Sequence, residues 1–193
     1  MAQLYFYYSA MNAGKSTSLL QSSHNYTEQG MQVLLFTAAV DARVEKGVIA
    51  SRIGLRNAAC VFESDSELFT QISEHIAKEK LHCVFVDEAQ FLSRAQVDQL
   101  AKVVDQLNVP VLCYGIRSDF QGELFPGSQR LLTVADKLTE LKAVCFCGRK
   151  ATMIVRRDSE GNAVSAGEQV VIGGNDSYES MCRNHFFSAV GIY

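Results

Sequence analysis

The stretch "YFYYSAMNAGKSTSLL", residues 5–20, decides how the rest of the chain is read. An aromatic run leads into a loop of small residues, and the loop ends on Gly14-Lys15-Ser16 ahead of a helical pattern. In a strand–loop–helix unit of this kind, loop N–H groups and the helix N-terminus wrap phosphate oxygens. The lysine neutralises the distal phosphates and the serine hydroxyl ligates Mg²⁺. The full pattern G-x-x-x-x-G-K-[ST] begins with glycine, where this chain has Ser9. Serine is small and serves there if the position needs no positive φ. Ser9, Ala10, Met11, Asn12, Ala13, Gly14, Lys15 and Ser16 therefore form the candidate ATP- and phosphate-binding loop.

Outward from this loop, short apolar runs recur at 4–9, 32–38, 82–89 and 109–116. They are rich in β-branched and aromatic residues and do not alternate, as expected of parallel strands covered on both faces. Helical patterns lie between them. Residues 14–30 end on Gly30, a C-terminal stop signal. Residues 64–80 space Leu68, Ile72 and Ile76 by four. Residues 93–108 put Val97, Leu100, Val103, Val104 and Leu107 on one stripe, with Ser93 placed to cap. Alternating strands and helices predict an α/β fold with a parallel sheet. A fifth strand is expected over 137–145. The composition then changes, with β-like runs at 151–156 and 168–172 joined by polar turn residues. The expected organisation is a P-loop nucleotide-binding α/β domain over 1–142 and a small β domain over 143–193.

A second element supports the nucleotide site. In "VFVDEAQF" (84–91), Asp87 ends an apolar strand, where its carboxylate can hold the metal through water. Glu88 follows at once and is a candidate general base, for a water in an ATPase or a substrate hydroxyl in a kinase. Further on, Cys145-Phe-Cys147 and Cys182-Arg-Asn-His185 supply a Cys₃His set, the donor pattern of a closed structural zinc site. Such an ion staples a segment too small to build its own core. Cys60, Cys83 and Cys113 read as small apolar groups, and His24, His75 and His82 as surface or cap residues.

The formal net charge of -3 argues against a nucleic-acid partner, whose binding surface usually needs a basic excess. No run approaches the roughly 20 apolar residues of a membrane span, and the N-terminus lacks a signal-like basic and apolar sequence. These features predict a cytoplasmic protein with neither membrane nor nucleic-acid contacts, its six cysteines thiols or metal ligands rather than disulfides.

Together, "MNAGKST" (11–17), "VDEAQF" (86–91), "CFCGRK" (145–150), "QVVIGGNDSY" (169–178) and "CRNH" (182–185) closely resemble the type II, cytosolic-type thymidine kinase family. The likeness runs from residue 3 to about 187 with the motifs in family order, and bacterial members share the serine of Ser9. The resemblance implies transfer of the ATP γ-phosphoryl group to the 5′-hydroxyl of thymidine, with deoxyuridine as a second acceptor, in deoxynucleoside salvage. It implies that Glu88 removes the hydroxyl proton, that Asp87, Ser16 and Lys15 manage Mg²⁺ and the phosphates, and that Gln90 joins the ATP-binding set. Asp41 and Arg43 match its D-x-R near the transferred phosphate. Met11, Ile116, Phe120, Phe125 and Tyr178 match positions that enclose the nucleoside. Val171 and Ile172 belong to the end of a lasso loop that reads the base edge, stapled by the zinc. Ile154 falls near the 5-methyl pocket. A homotetramer and feedback inhibition by dTTP are also implied.

Two other classes compete. A nucleotide-driven switch predicts ADP formation without nucleoside, and a zinc-ribbon binding module predicts nucleic-acid retention and no dependence on Lys15.

Overall fold

Buried strands side by side, each followed by a crossover, build the centre of the molecule. The computed structural model describes residues 1–40, 45–169 and 178–193. The chain runs β1 (Leu4–Ser9), α1 (Lys15–Glu28), β2 (Val33–Ala38), β3 (Val48–Ala50), β4 (Arg56–Ala58), β5 (Cys60–Phe62), α2 (Leu68–Ile76) and β6 (Cys83–Val86). A single 3-10 turn (Ala89–Phe91) leads to α3 (Arg94–Leu107), β7 (Val111–Ile116), α4 (Pro126–Val134) and β8 (Lys137–Glu140). Five short strands and a helix close the chain: β9 (Ala143–Val144), β10 (Lys150–Ala151), β11 (Met153–Arg157), β12 (Ala163–Val164), β13 (Tyr178–Met181) and α5 (Arg183–Ala189).

Six strands form one parallel sheet in the order β5-β2-β6-β7-β1-β8. The inner strand β6 is buried at every residue and β7 at all but its last, as expected where helices cover both faces. β1 divides its side chains: Leu4 and Phe6 enter the core on one face, while Tyr7 stacks on Tyr114 on the other, ring centroids 4.6 Å apart. Leu19 and Leu20 of α1 belong to that second face, and Gly30, at φ 70°, ends the helix as its sequence position predicts. The core on the first face gathers Leu68 and Ile72 of α2 with Val97, Leu100, Val103 and Val104 of α3. Ser93 begins α3 with a full capping box: its Oγ accepts from the Gln96 N–H, and Gln96 Oε1 accepts from the Ser93 N–H. A cap of this type stabilises by about 1 kcal/mol.

Three departures from the sequence reading have local causes. The expected strand 137–145 divides, because β8 follows β1 only as far as Glu140 and β9 then turns to pair antiparallel with β10. An unforeseen α4 starts at Pro126, whose fixed φ suits the first helical turn. In the run 168–172, residues 168 and 169 are not strand, and the remainder lies outside the described residues.

After β8, β11 lies between β12 and β13 in an antiparallel sheet that packs with α5 around Ile154, Val155, Met181 and Phe186. Ala10 of the phosphate loop is buried in this same cluster, so the C-terminal segment rests directly on the loop.

Candidate active site and metal centre

Parallel pairing sets the C-terminal ends of β1, β6 and β7 along one edge, the usual ligand edge of an open α/β sheet. Ser9 is opposite Ile116, and the Arg117 N–H donates to the Ser9 carbonyl at 3.3 Å. Ser9 does not have a positive φ, so this position does not require the glycine of the usual pattern. The left-handed residues of the loop are Asn12 and Gly14, at φ 63° and 77°, and Gly14 turns the chain into α1. Lys15 is buried, with its ammonium donating to the Ser9 hydroxyl at 3.2 Å and to the Ala10 carbonyl at 3.0 Å.

Across from the loop, the Ser16 hydroxyl donates to Asp87 Oδ2 at 2.8 Å. The other oxygen, Oδ1, is buried with no hydrogen-bond partner among the described residues. Burial holds the Asp87 carboxyl well above the usual carboxylate range and the neighbouring Glu88 charge adds to the shift; Ser16, the Glu88 N–H and Lys15 oppose it. Glu88 is itself buried, and its backbone is left-handed, φ 52° and ψ 39°. For a non-glycine residue that conformation is strained, and such strain concentrates at functional sites. It swings the chain out of β6 into the 3-10 turn. Gln90, in that turn, donates from Nε2 to Glu88 Oε2 and accepts the Ile116 N–H at Oε1, 3.1 Å away.

Beside the loop, Met11, Ile116 and Tyr178 share one apolar cluster with Ile154, and the Met11 carbonyl accepts from the Ser180 hydroxyl at 2.8 Å. Phe120 and Phe125 stand in the segment after β7. Phe120 is covered by the Arg156 guanidinium, 3.9 Å from the ring centroid, and Phe125 meets Phe91 edge to face. Asp41, Arg43, Val171 and Ile172 lie outside the described residues.

The four metal-ligand candidates converge. Cys145, Cys147, Cys182 and His185 bring their ligand atoms within 4.8 Å of one another, an arrangement that could hold a structural metal ion such as zinc. A turn through Gly148 ties the first pair, its N–H donating to the Cys145 carbonyl at 2.8 Å. Cys182 caps α5, which places His185 in that helix's first turn. Burial opposes ionisation of Cys145, but the backbone N–H of Cys147, His185 and the backbone N–H of Cys182 together lower its thiol to about 6, favouring the thiolate that binds metal.

The sequence reading passes over Arg156 and Asp119. Arg156 donates to the Glu168 carbonyl at 3.0 Å while covering Phe120. Asp119 accepts from the Gln121 and Glu123 N–H groups through Oδ1 and from Gln169 Nε2 through Oδ2. The Arg156 contacts and the Asp119–Gln169 bond join residues at least 12 positions apart, whereas the Oδ1 bonds of Asp119 close a local turn.

A family model described as thymidine kinase matches residues 2–186. The chain belongs to the thymidine kinase family. A relative named thymidine kinase in Vibrio vulnificus is 59% identical over 191 residues, covering 99% of this chain and 100% of that protein. In Shewanella oneidensis the identity is 62% over 186 residues, with 96% and 97% covered. In Salmonella typhimurium it is 58% over 190 residues, with 98% and 93% covered. Within a thymidine kinase, the shared edge of β1, β6 and β7 brings the phosphate loop, the Asp87-Glu88 pair and the Met11–Ile116–Tyr178 cluster together. No helix among the described residues is long and apolar enough to cross a membrane.

Proposed function

We propose that the protein transfers the γ-phosphoryl group of ATP to the 5′-hydroxyl of thymidine, giving dTMP and ADP, with deoxyuridine as a second acceptor. One observation carries the mechanism: the Glu88 carboxylate follows directly on Asp87, which is hydrogen-bonded to Ser16 of the phosphate loop. Donor and acceptor machinery therefore meet at a single strand end. Loop N–H groups and Lys15 hold the phosphates. Glu88 takes the proton of the 5′-hydroxyl as its oxygen bonds to the γ-phosphorus, and the bond to the bridging oxygen breaks to release ADP. Ser16 and, through water, Asp87 would hold the Mg²⁺ that accompanies ATP and neutralises charge on its β- and γ-oxygens. Asp87 Oδ1, buried with no hydrogen-bond partner among the described residues, suits a cation. Asp41 and Arg43 would complete the phosphate side.

Met11, Ile116, Phe120, Phe125 and Tyr178 would enclose the nucleoside, with Val171 and Ile172 on the base edge. Tyr178, half-buried against the same apolar cluster as Met11 and Ile116, would cover base or sugar at low entropic cost. Tyr178→Ala is expected to raise the thymidine KM much more than the ATP KM. Equal effects on both constants would assign the residue to general packing.

The Cys₃His set would hold a structural zinc. A tetrahedral ion with ordinary Zn–S and Zn–N bonds puts two sulfurs about 3.8 Å apart and a sulfur and nitrogen about 3.6 Å apart. Three of the six separations are 3.9 Å for Cys147–Cys182, 3.4 Å for Cys145–His185 and 3.6 Å for Cys182–His185, and all lie within 4.8 Å. This reading treats 1–142 as the nucleotide-binding domain and 143–193 as a zinc-stapled domain carrying the lasso, the second packed on Ala10 and Met11 of the first through the cluster around Ile154. By the family resemblance the protein is a homotetramer inhibited by dTTP; its charge and hydropathy suit a cytoplasmic protein without nucleic-acid or membrane partners.

Measuring ADP release from ATP with and without thymidine tests the assignment. Release that requires thymidine is the expected result. Release without it would indicate a nucleotide-driven switch, and none in either case a binding module.

A further inference from the structure

The 3-10 turn behind Glu88 occupies a slot with two glycine walls. A Cβ on Gly127, in the first turn of α4, would lie 2.4 Å from the Ala89 carbonyl oxygen, 2.7 Å from that of Leu92 and 2.9 Å from that of Gln90. A Cβ on Gly115 of β7 would lie 2.8 Å from Gln90 Oε1 and 3.0 Å from its backbone nitrogen. Every contact at Gly127 is backbone, so the turn could not yield cheaply to any larger residue. The slot therefore fixes where the Gln90 side chain begins.

The far end of that side chain is fixed as well. Gln90 is 2% exposed. Its amide oxygen receives the Ile116 N–H, its amide nitrogen donates to the Glu88 carboxylate, and the Ile116 carbonyl receives the Ser128 hydroxyl at 2.6 Å. One side chain thus spans from the carboxylate read as the base to the backbone of Ile116, a residue read as a wall of the nucleoside site. Glutamine suits the task because a single planar group offers both a donor and an acceptor.

We infer that Gln90 is a positioning residue: it sets the Glu88 carboxylate at a fixed distance from the β7 end on which the acceptor nucleoside rests, with Gly127 and Ser128 of α4 holding the anchor. This rests on the reading of Glu88 as base. In this reading Gln90 acts through its two partners, and the ATP KM separates that role from the nucleotide-binding one implied by the family resemblance. Reactions that depend on a near-attack geometry lose rate steeply when a group is displaced by about an ångström.

The test is a four-enzyme cycle of wild type, Glu88→Gln, Gln90→Met and the double variant, with Gln90→Glu as a fifth protein. Gln90→Glu retains an acceptor for the Ile116 N–H and the original volume, so it keeps the experiment informative if Gln90→Met folds poorly. A hydrogen bond to a charged group is worth roughly 10- to 100-fold, so each Gln90 variant is expected to lower kcat by that factor, leaving the ATP and thymidine KM within about threefold. In the Glu88→Gln background, Gln90→Met should cost less than about threefold more. Equal costs in both backgrounds, or an ATP KM that rises as far as kcat falls, would overturn the inference while leaving the base assignment intact. A nearly unimpaired Glu88→Gln enzyme would remove the base assignment, and the inference with it.

Discussion

Replacing Glu88 with glutamine is expected to lower kcat by about 10²–10⁴-fold while ATP and thymidine still bind. Glutamine keeps the size of the side chain and can still accept the Gln90 amide, but it has no basicity to offer a hydroxyl proton. Phosphoryl transfer relies mainly on positioning and charge stabilisation, with proton removal a smaller share of the barrier, which is why the loss is bounded. Binding should survive because the loop, the Lys15–Ser9 bond and the Ser16–Asp87 bond are made by other side chains, and removing the Glu88 charge eases ionisation of Asp87. Steady-state kinetics in both substrates checks the split between kcat and KM. Near-normal turnover would refute the assignment and leave Asp41 as the next candidate for the base.

The sequence announces the parts of this site that obey local rules and conceals those made by distant contacts. Gly14-Lys15-Ser16 after an aromatic run marks its own loop, because phosphate binding needs those residue types in that order. Asp87 is legible because a carboxylate at the end of an apolar strand has few structural reasons to be there. Ser93 marks the start of α3, and the structure adds Gln96 as the second half of its capping box. The left-handed backbone of Glu88 leaves no such trace, since nothing in "VDEAQF" requires positive φ; the packing of Ala89, Gln90 and Leu92 against Gly127 fixes the turn, from 35 or more positions along the chain. The β3–β4 hairpin and β5 are three-residue strands, too short for any periodicity to register. Gly127 itself reads as an ordinary turn residue until the helix it opens is set against the 3-10 turn. In the 168–172 run, apolar composition suggests a strand, yet Arg156 takes the Glu168 backbone carbonyl and Asp119 takes the Gln169 side-chain amide, so side chains from elsewhere hold residues 168 and 169.

Loss of the proposed zinc is expected to have the largest effect on stability. Cys182→Ser should cost more than about 4 kcal/mol, the range in which removal of a metal or a disulfide falls. The C-terminal segment buries few large apolar side chains of its own: Ile154, Val155, Met181 and Phe186 are the principal members of its cluster. A core of that size stabilises weakly, and small segments of this kind are commonly held by a metal. Cys182 is the critical ligand because it stands at the N-cap position of α5 and so joins the ion to the helix whose first turn presents His185. The consequence reaches the active site, since Ala10, Met11 and Tyr178 pack in the same cluster as the ligands Cys145 and Cys182. Cys182→Ser should therefore unfold at lower temperature and, below that transition, show a raised thymidine KM with a smaller change for ATP. Chelation of the wild-type protein should reproduce both effects, and elemental analysis should find about one zinc per chain, as a single closed four-ligand site requires. Folded, active protein containing no zinc would sink the structural-metal reading, because a cluster this small would then be holding four converging ligands together unaided.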